Sequence, residues 1–214
     1  MREDTMEIVC WYVEVGPLSD PERYARGMAA LPWEERRSRV RSFHFEKDRL
    51  LCLGAGLLAA WALQRAGATD LAVRTLAQGK PVLAAHPDIH FNLSHSGRMA
   101  VCAVSPEEVG ADVERVHPYD PGVARITFTP EERAWVEDSG DPDRAFTRIW
   151  TRKESFLKYL GTGLMTPADQ VCVLPGRQGE VSFAETEVEG HLMCVCHPGR
   201  ARVNFARWDL DLQR

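Results

Sequence analysis

Two long helical segments, separated by a proline-rich break, constrain most strongly what this chain can fold into. Residues 46–65 are rich in Leu and Ala and contain no proline, and Gly67 follows as a helix end. Residues 141–160 begin with Asp-Pro, a favourable helix start, and stop at Gly161. Short strand-like segments follow each helix. The pattern predicts an α/β (α+β) fold of two similar halves, each with one long helix and antiparallel strands.

The join between the halves is predicted near residues 115–125, where His-Pro and Asp-Pro pairs interrupt both patterns. We therefore expect an N-terminal subdomain at 1–115 and a C-terminal subdomain at 116–214, with the active-site cleft between them. A polar turn is expected at 92–97, and Thr129 with Glu132 predicts a capping box at a helix start. Strands are predicted near residues 6–15, 71–75, 81–84, 89–93, 99–104 and 109–114.

Composition limits the classes of partner. The 214 residues carry a net charge of −5, which argues against a broad nucleic-acid surface but allows a local basic pocket. No apolar run approaches the roughly 20 residues that span a bilayer, and the acidic start does not resemble a secretory signal. The six cysteines lack a Cys-x-x-Cys pair and are expected to be buried, reduced thiols. We expect a cytoplasmic protein with no membrane partner.

Three carboxylates and one lysine form the strongest chemical pattern. Asp112 and Glu114 lie two residues apart on a predicted strand and share one face. Glu154 and Lys158 lie four residues apart on a predicted helix and share one face. If these acids converge, their repulsion calls for a cation, and oxygen-only ligands favour a hard ion such as Mg²⁺, although Mn²⁺ accepts the same set. Such an ion commonly binds substrate phosphate. A solvated strand face and an ordinary Glu154–Lys158 ion pair are the alternatives.

Four blocks of sequence carry a resemblance to a known family. Their order and spacing, over about residues 30–165, resemble the 4'-phosphopantetheinyl transferase superfamily. Within it, the chain is similar to the long, monomeric, two-subdomain class that activates peptide and polyketide synthase carrier proteins. The blocks are Gly79–Pro81 (Gly-Lys-Pro), Phe91–Ser96 (Phe-Asn-Leu-Ser-His-Ser), Gly110–Glu114 (Gly-Ala-Asp-Val-Glu) and Trp150–Lys158.

The resemblance implies a fold and a reaction. The fold would be a pseudo-twofold pair of subdomains with coenzyme A in the cleft between them. The reaction would move the 4'-phosphopantetheine arm of coenzyme A onto a serine of an apo acyl, peptidyl or polyketide carrier protein, releasing adenosine 3',5'-bisphosphate. Two alternatives remain at this point: a non-catalytic module that binds coenzyme A or the carrier, and a metal-dependent phosphodiesterase.

The resemblance also implies roles for individual residues. The metal ligands would be Asp112, Glu114 and Glu154, and the catalytic residues Glu154 and Lys158. Glu154 would accept the serine proton directly or through a metal-bound water, and Lys158 would meet phosphate charge. Arg36 and Arg39 would hold the 3'-phosphate, with a solvated basic helix face as an equally weighted alternative. The coenzyme A contacts would be Arg36, Arg39, Lys80, Pro81, Ser94, His95, Asp112 and Lys158.

The carrier protein requires a docking surface, because carriers are typically acidic around their serine. Residues 127–132 and the following helix, with Trp135, are candidates for it, and a buried Trp135 is an alternative of equal weight. Trp150 is expected to pack in the core and orient the helix that carries Glu154. Lys153 is expected to serve packing or the carrier rather than catalysis. The sequence leaves the identity of the carrier open.

Overall fold

The computed structural model describes residues 6–162, 166–174 and 181–212. Its helices are α1 (Pro21–Ala30), α2 (Glu34–Ser42), α3 (Glu46–Arg65), α4 (Pro121–Thr127), α5 (Pro130–Glu137) and α6 (Pro142–Leu160). Its strands are β1 (Met6–Glu14), β2 (Val73–Thr75), β3 (Pro81–Leu83), β4 (His90–Ser96), β5 (Met99–Ser105), β6 (Gly110–Arg115), β7 (Val181–Val188), β8 (His191–Pro198) and β9 (Ala201–Arg207).

Two small sheets organise the chain. One has the strand order β4-β5-β1-β9 and the other β6-β8-β7, while β2 and β3 form a separate hairpin. Neighbouring strands are antiparallel except for the parallel pair β1 and β9. Helix α3 packs on the first sheet and α6 on the second. The predicted mixed fold, with one long helix on each mostly antiparallel sheet, is confirmed.

Helix α3 is buried along most of its length because small residues let its neighbours approach. A Cβ at Gly54 would lie 2.4 Å from Val15 Cγ1, and one at Gly56 would lie 2.6 Å from Arg36 Nε. Leu53 and Leu58, on either side of this glycine pair, are fully buried. The helix therefore forms the centre of the N-terminal core, and Gly56 makes room for an arginine that was predicted to bind phosphate.

The predicted boundary at 115/116 stays a prediction, and each of the two sheets contains strands from both sides of it. Strand β6, placed in the N-terminal half, pairs with β8. Strand β9 returns from the second sheet to pair with β1, and Trp208 and Leu210 beyond it are buried in the core around α3. These pairings join residues far apart in sequence, so no local pattern reveals them. The end of the chain thus ties the two halves together.

Local signals placed several elements correctly. Helix α3 has its predicted bounds, and α6 begins beside its Asp141 cap and ends at Gly161, whose φ is 66°. The predicted Thr129–Glu132 capping box is present at α5. The predicted turn at 92–97 is wrong, because residues 90–96 continue as β4 and the chain turns at Gly97. Helix α4 was not predicted, and a helix at the position of α2 was part only of the alternative interpretation of Arg36 and Arg39.

Two further findings bear on the sequence expectations. Within the described ranges, no helix combines the length and the apolar character needed to span a bilayer. All six cysteines are free thiols, and five of them are buried. Burial raises the pKa of the Cys102 thiol to about 12. These thiols therefore behave as small core residues.

Candidate active site

The two sheets meet where β4 runs beside β6. Three side chains at alternate positions of β4 form hydrogen bonds with β6. The residue numbers of their partners rise along β6 as those of β4 rise, so the two strands run parallel. Side-chain hydrogen bonds therefore join the sheets here. The pairs are Asn92 Oδ1 with the Ala111 amide at 2.9 Å, Ser94 Oγ with Asp112 Oδ1 at 2.6 Å, and Ser96 Oγ with Glu114 Oε2 at 2.5 Å.

Gly110 allows α6 to lie directly on β6. A Cβ at this position would lie 1.9 Å from the backbone oxygen of Ser155 and 2.4 Å from the amide nitrogen of Tyr159. Only glycine permits this approach, because both obstructing atoms belong to the backbone of α6. The close packing brings the turn of α6 with Glu154 and Lys158 against the start of β6, as the predicted site requires.

Asp112 lies at the centre of the site. It is 2% exposed, and its Oδ1 accepts hydrogen bonds from Ser94 Oγ and, at 2.6 Å, from Lys158 Nζ. Lys158 Nζ also donates to Ser94 Oγ at 3.0 Å. Desolvation by burial raises the pKa of the Asp112 carboxyl, although Lys158 and Ser94 oppose the shift. Lys158 thus forms its ion pair across the junction with Asp112, rather than the simple helical pair with Glu154.

Glu114 and Glu154 share the electrostatic environment of Asp112. Both are partly buried, and desolvation is the main reason that their pKa values lie above the ordinary one. The charge of Asp112 raises the pKa of both further, while Lys158 lowers it. Glu114 and Glu154 are therefore each close enough to sense the charge of Asp112.

The fit of this group to a metal ion is partial. Asp112 Oδ2 is buried and has no hydrogen-bond partner among the residues that the structure describes. A buried carboxylate oxygen of this kind is the donor that a hard divalent cation takes. In the same ranges, however, no group of three or more His, Cys, Asp or Glu residues is arranged as a ready-made metal site. The donor chemistry fits Mg²⁺, and a preformed cage of all three acids stays a prediction.

Three cationic side chains lie near His95, the residue of β4 that follows Ser94. His95 faces solvent, yet desolvation by nearby protein atoms and the charges of Arg36, Lys158 and Arg39 lower the pKa of its imidazole. Arg36 Nε donates to the Cys52 carbonyl oxygen at 3.0 Å. Because His95 senses the charges of all three cations, the acidic chain contains a local positive region here that suits a phosphate. The predicted phosphate contacts of Arg36, Arg39 and His95 stay predictions.

Lys80 and Pro81 lie at the hairpin of β2 and β3. Pro81 begins β3 opposite Thr75. Lys80 is 9% exposed, and its Nζ binds Glu108 Oε2 at 2.5 Å together with three backbone oxygens. The ammonium therefore has protein partners, and its predicted contact with the nucleotide stays a prediction.

The expected carrier surface needs correction. Phe128 is completely buried and Trp135 is partly buried, and both belong to the hydrophobic cluster around Phe146. Phe128 cannot anchor a partner, because its ring lies inside this cluster. The exposed apolar side chain in this region is Ile126, which is 71% exposed. Trp150 packs against the same cluster, as predicted.

Several residues of the site were not predicted. Ser96 binds Glu114, and Asn92 fixes β4 beside β6; their spacing of two residues around Ser94 was the available signal. Glu132 is completely buried and binds Lys153 Nζ at 2.7 Å, which ties α5 to α6. No sequence pattern could show that Glu132 would meet Lys153, because the pair depends on how the two helices pack.

Comparison with known proteins gives a consistent result. Residues 108–206 match the family model described as 4'-phosphopantetheinyl transferase superfamily, and residues 19–107 match the one described as 4'-phosphopantetheinyl transferase, N-terminal. A 4'-phosphopantetheinyl transferase of Bacillus subtilis is 36% identical over 83% of this chain and 80% of its own length. The 4'-phosphopantetheinyl transferase Sfp of Bacillus subtilis (strain 168) is 32% identical over 77% and 82%, respectively. The 4'-phosphopantetheinyl transferase ffp of Bacillus subtilis is 31% identical over 84% and 87%.

The first matched region ends at residue 107 and the second begins at residue 108. This boundary lies in the loop between β5 and β6, just before the strand that carries Asp112. The two matched regions run from residue 19 to residue 206 and include all four motif blocks. This chain therefore belongs to the 4'-phosphopantetheinyl transferase superfamily.

Proposed function

We propose that the protein transfers the 4'-phosphopantetheine arm of coenzyme A to a serine of an apo acyl, peptidyl or polyketide carrier protein. The products are the holo carrier and adenosine 3',5'-bisphosphate. One observation carries the proposal: Ser94, Asp112 and Lys158, from three separate motif blocks, make mutual contacts of 2.6–3.0 Å at the junction of the sheets. Two similar halves in one chain are consistent with a monomer that holds a complete site.

The reaction is a phosphoryl transfer with balanced bond changes. The oxygen of the carrier serine forms a bond to the phosphorus that bears the pantetheine arm. The bond from this phosphorus to the bridging pyrophosphate oxygen breaks, and adenosine 3',5'-bisphosphate leaves with the electron pair. The site must therefore take the serine proton and stabilise negative charge on the leaving phosphate.

The chain provides groups for both tasks. Glu154 has a raised pKa, which suits a residue that accepts a proton near neutral pH, directly or through water. Lys158 lies beside Asp112 and can present its positive charge to a phosphate oxygen. A divalent cation such as Mg²⁺, or Mn²⁺, held by Asp112, Glu114 and Glu154 would neutralise charge on the pyrophosphate. Ser94 orients both Lys158 and Asp112.

Incubation of the protein with Mg²⁺, coenzyme A and a panel of apo carriers tests the proposal. We expect at least one carrier to gain the mass of one phosphopantetheine and adenosine 3',5'-bisphosphate to appear in equal amount. Binding of coenzyme A or carrier without any mass gain would support the non-catalytic module instead. Hydrolysis of coenzyme A in the absence of a carrier would support the phosphodiesterase.

Arg36 and Arg39 are expected to recognise the 3'-phosphate of coenzyme A. Replacing both with alanine should weaken coenzyme A binding by at least about 10²-fold, since each charged hydrogen bond contributes about 1.5–3 kcal/mol. Dephospho-coenzyme A, which lacks that phosphate, should bind the variant nearly as well as the wild type. Calorimetric titration of both ligands measures the difference. Arg41→Ala is the matched control, because Arg41 lies on the same helix but pairs with Glu34.

Equal weakening of the two ligands by the double replacement would contradict a contact with the 3'-phosphate. Loss of binding in Arg41→Ala would show that general positive charge, rather than this pair, determines affinity. The fold should survive, because the Cys52 carbonyl that Arg36 contacts lies inside helix α3 and remains available to the helical backbone.

His95 is expected to make coenzyme A binding depend on pH. Arg36, Lys158 and Arg39 contribute to lowering its pKa in the free protein, and a bound phosphate would raise it by stabilising the imidazolium. The affinity for coenzyme A should therefore be greatest below the pKa that His95 has in the free protein. It should decrease as the pH rises from that value to the higher pKa that His95 has in the complex. The decrease is about tenfold per unit of difference between the two pKa values. Proton uptake measured by calorimetry in two buffers tests this.

The phosphate of coenzyme A also titrates, at about pH 6. His95→Gln removes the titrating imidazole and leaves the ligand unchanged, so the variant isolates the contribution of the protein. Identical proton uptake in wild type and variant would exclude the proposed contact between His95 and phosphate.

A further inference from the structure

We propose that the Lys80 side chain is a positioning residue that anchors the C-terminal end of α6, so that the β2–β3 hairpin holds Lys158 and Glu154 in register with Asp112. The inference rests on the proposed function, because it assigns to Lys80 a role in the same reaction. It differs from the expected role of the Lys80 side chain as a nucleotide ligand.

The ammonium of Lys80 occupies the end of α6. Its Nζ donates to the backbone oxygen of Lys158 at 3.0 Å and to that of Tyr159 at 3.4 Å. The last four carbonyl groups of an α-helix have no intrahelical donor, and the helix dipole favours a cation there. α6 ends at Leu160, so these two oxygens are terminal ones. Lys80 therefore caps the catalytic helix from a residue 78 positions earlier in the chain.

The anchor is buried and neutralised. The Lys80 side chain is 7% exposed, and its Nζ also binds Glu108 Oε2 at 2.5 Å and the Val109 oxygen at 3.2 Å. The other oxygen of Glu108 binds His90 Nδ1 at 3.2 Å. Moving the ammonium to a ligand would break these contacts and take the Lys80 donor away from the buried Val109 oxygen, which is costly. The geometry thus favours a fixed anchor over a ligand contact.

The aliphatic part of the Lys80 side chain packs against Gly161. A Cβ on Gly161 would lie 3.4 Å from Lys80 Cδ, so the lysine passes directly over the residue that ends the helix. The turn that presents Lys80 is itself closed by hydrogen bonds between the backbones of Leu76 and Lys80, at 2.9 Å, and of Gly79 and Leu76, at 2.9 Å. A closed turn at one end and a helix terminus at the other make a short, rigid connection.

The anchor acts on the site through Lys158. The backbone oxygen of Lys158 is held by Lys80, and its ammonium binds Asp112 and Ser94. A change in the last turn of α6 would therefore move the Lys158 ammonium, and with it the charge that meets phosphate. The same hairpin contains the Gly79–Pro81 block, which was expected near the nucleotide. The hairpin that would hold the nucleotide is therefore also the one that contacts the end of the helix carrying Lys158 and Glu154.

Lys80→Met tests the anchor, because methionine keeps the apolar stem and removes the ammonium. We expect kcat to fall about 10-fold to 10²-fold, since small displacements of catalytic groups have effects of this size. The Kd of coenzyme A should rise less than about tenfold, because the displaced Lys158 would weaken one phosphate contact while the Lys80 side chain itself makes none. Hydrogen exchange at the amides of residues 157–161 should become faster, while exchange in α3 should not change. Lys47→Met, at an exposed position of α3, is the matched control.

Glu108→Gln is the second variant, because it keeps a hydrogen-bond acceptor for Lys80 and removes only the charge. Its effects on kcat and on exchange should have the same direction and be smaller, and they should not add to those of Lys80→Met. A loss of coenzyme A affinity above tenfold with unchanged exchange in α6 would overturn the anchor and assign Lys80 to the nucleotide. Unchanged kcat and exchange, or faster exchange throughout the protein, would also overturn it.

These measurements separate the two proposals. If the wild type transfers nothing to any carrier, the proposed function fails. The exchange experiment uses the protein without substrate, so it still tests whether Lys80 fixes the end of α6.

Discussion

Asp112→Asn is expected to lower the rate of phosphopantetheine transfer by at least about 10²-fold, the effect of removing one group that stabilises transition-state charge. Asparagine has nearly the same shape as aspartate but lacks the charge that pairs with Lys158. It also lacks the second carboxylate oxygen, which is buried and has no hydrogen-bond partner among the described residues. Both features concern the reaction rather than the packing. The loss should therefore appear in kcat, measured by carrier mass gain, rather than in the fold.

The stability of this variant gives an independent check. Burial raises the folded-state pKa of Asp112 above its unfolded value, so ionising the group at neutral pH costs folding free energy. This cost grows as pH rises from the unfolded pKa to the folded one and then stays constant. Asparagine carries no such cost, so the variant should unfold at a denaturant concentration no lower than that of wild type at pH 7.

Asp138→Asn is the matched control, since Asp138 is exposed at the end of α5. It should leave both rate and stability unchanged. If Asp112→Asn keeps more than half of the wild-type rate, neither the charge nor the oxygen of Asp112 takes part in the reaction. If it unfolds much more readily, Asp112 serves the fold instead.

Local chemistry made much of the architecture predictable. The bounds of α3, and the start and end of α6 beside Asp141 and Gly161, follow from caps, glycine and apolar content within each segment. The convergence of Asp112 with Lys158 was predictable for a different reason. A two-residue spacing on a strand and a four-residue spacing on a helix each place functional groups on one face, and the motif order indicated that the faces would meet.

Other features depended on contacts between distant segments. Residues 92–97 look like a turn because they are polar, but Ser94 and Ser96 are polar because they bind the acids of β6. Phe128 was expected on the surface, and its burial depends on Phe146 in another helix. Two of the acceptors of Lys80 lie at the end of α6. The chain also passes from β8 in one sheet to β9 in the other, where β9 pairs with β1. No local pattern contains information about such partners.

Gly110→Ala is expected to have the largest effect on the fold, because the added Cβ would lie 1.9 Å from the backbone oxygen of Ser155. The obstructing atoms belong to the helix backbone, so no side-chain rotation can relieve the overlap. Either the protein loses about 3 kcal/mol or more of its free energy of unfolding, the upper range for overpacking, or α6 moves away from β6.

Both outcomes reduce transfer, and they can be separated. Denaturant unfolding measures the stability, and the transfer assay under conditions where the variant is folded measures the site. Displacement of α6 would separate Lys158 from Asp112, which are 2.6 Å apart, and transfer should then fall even in the folded fraction. Gly140→Ala is the matched glycine control, because a Cβ there meets nothing within 4 Å.

A stable and fully active Gly110→Ala protein would contradict the close contact between α6 and β6. That contact is the physical reason for the glycine in the Gly-x-Asp-x-Glu block, since it sets how near the helix can bring Lys158 to Asp112. The fold and the chemistry therefore depend on Gly110 for the same reason, because a hydrogen atom is the only side chain that fits between β6 and α6.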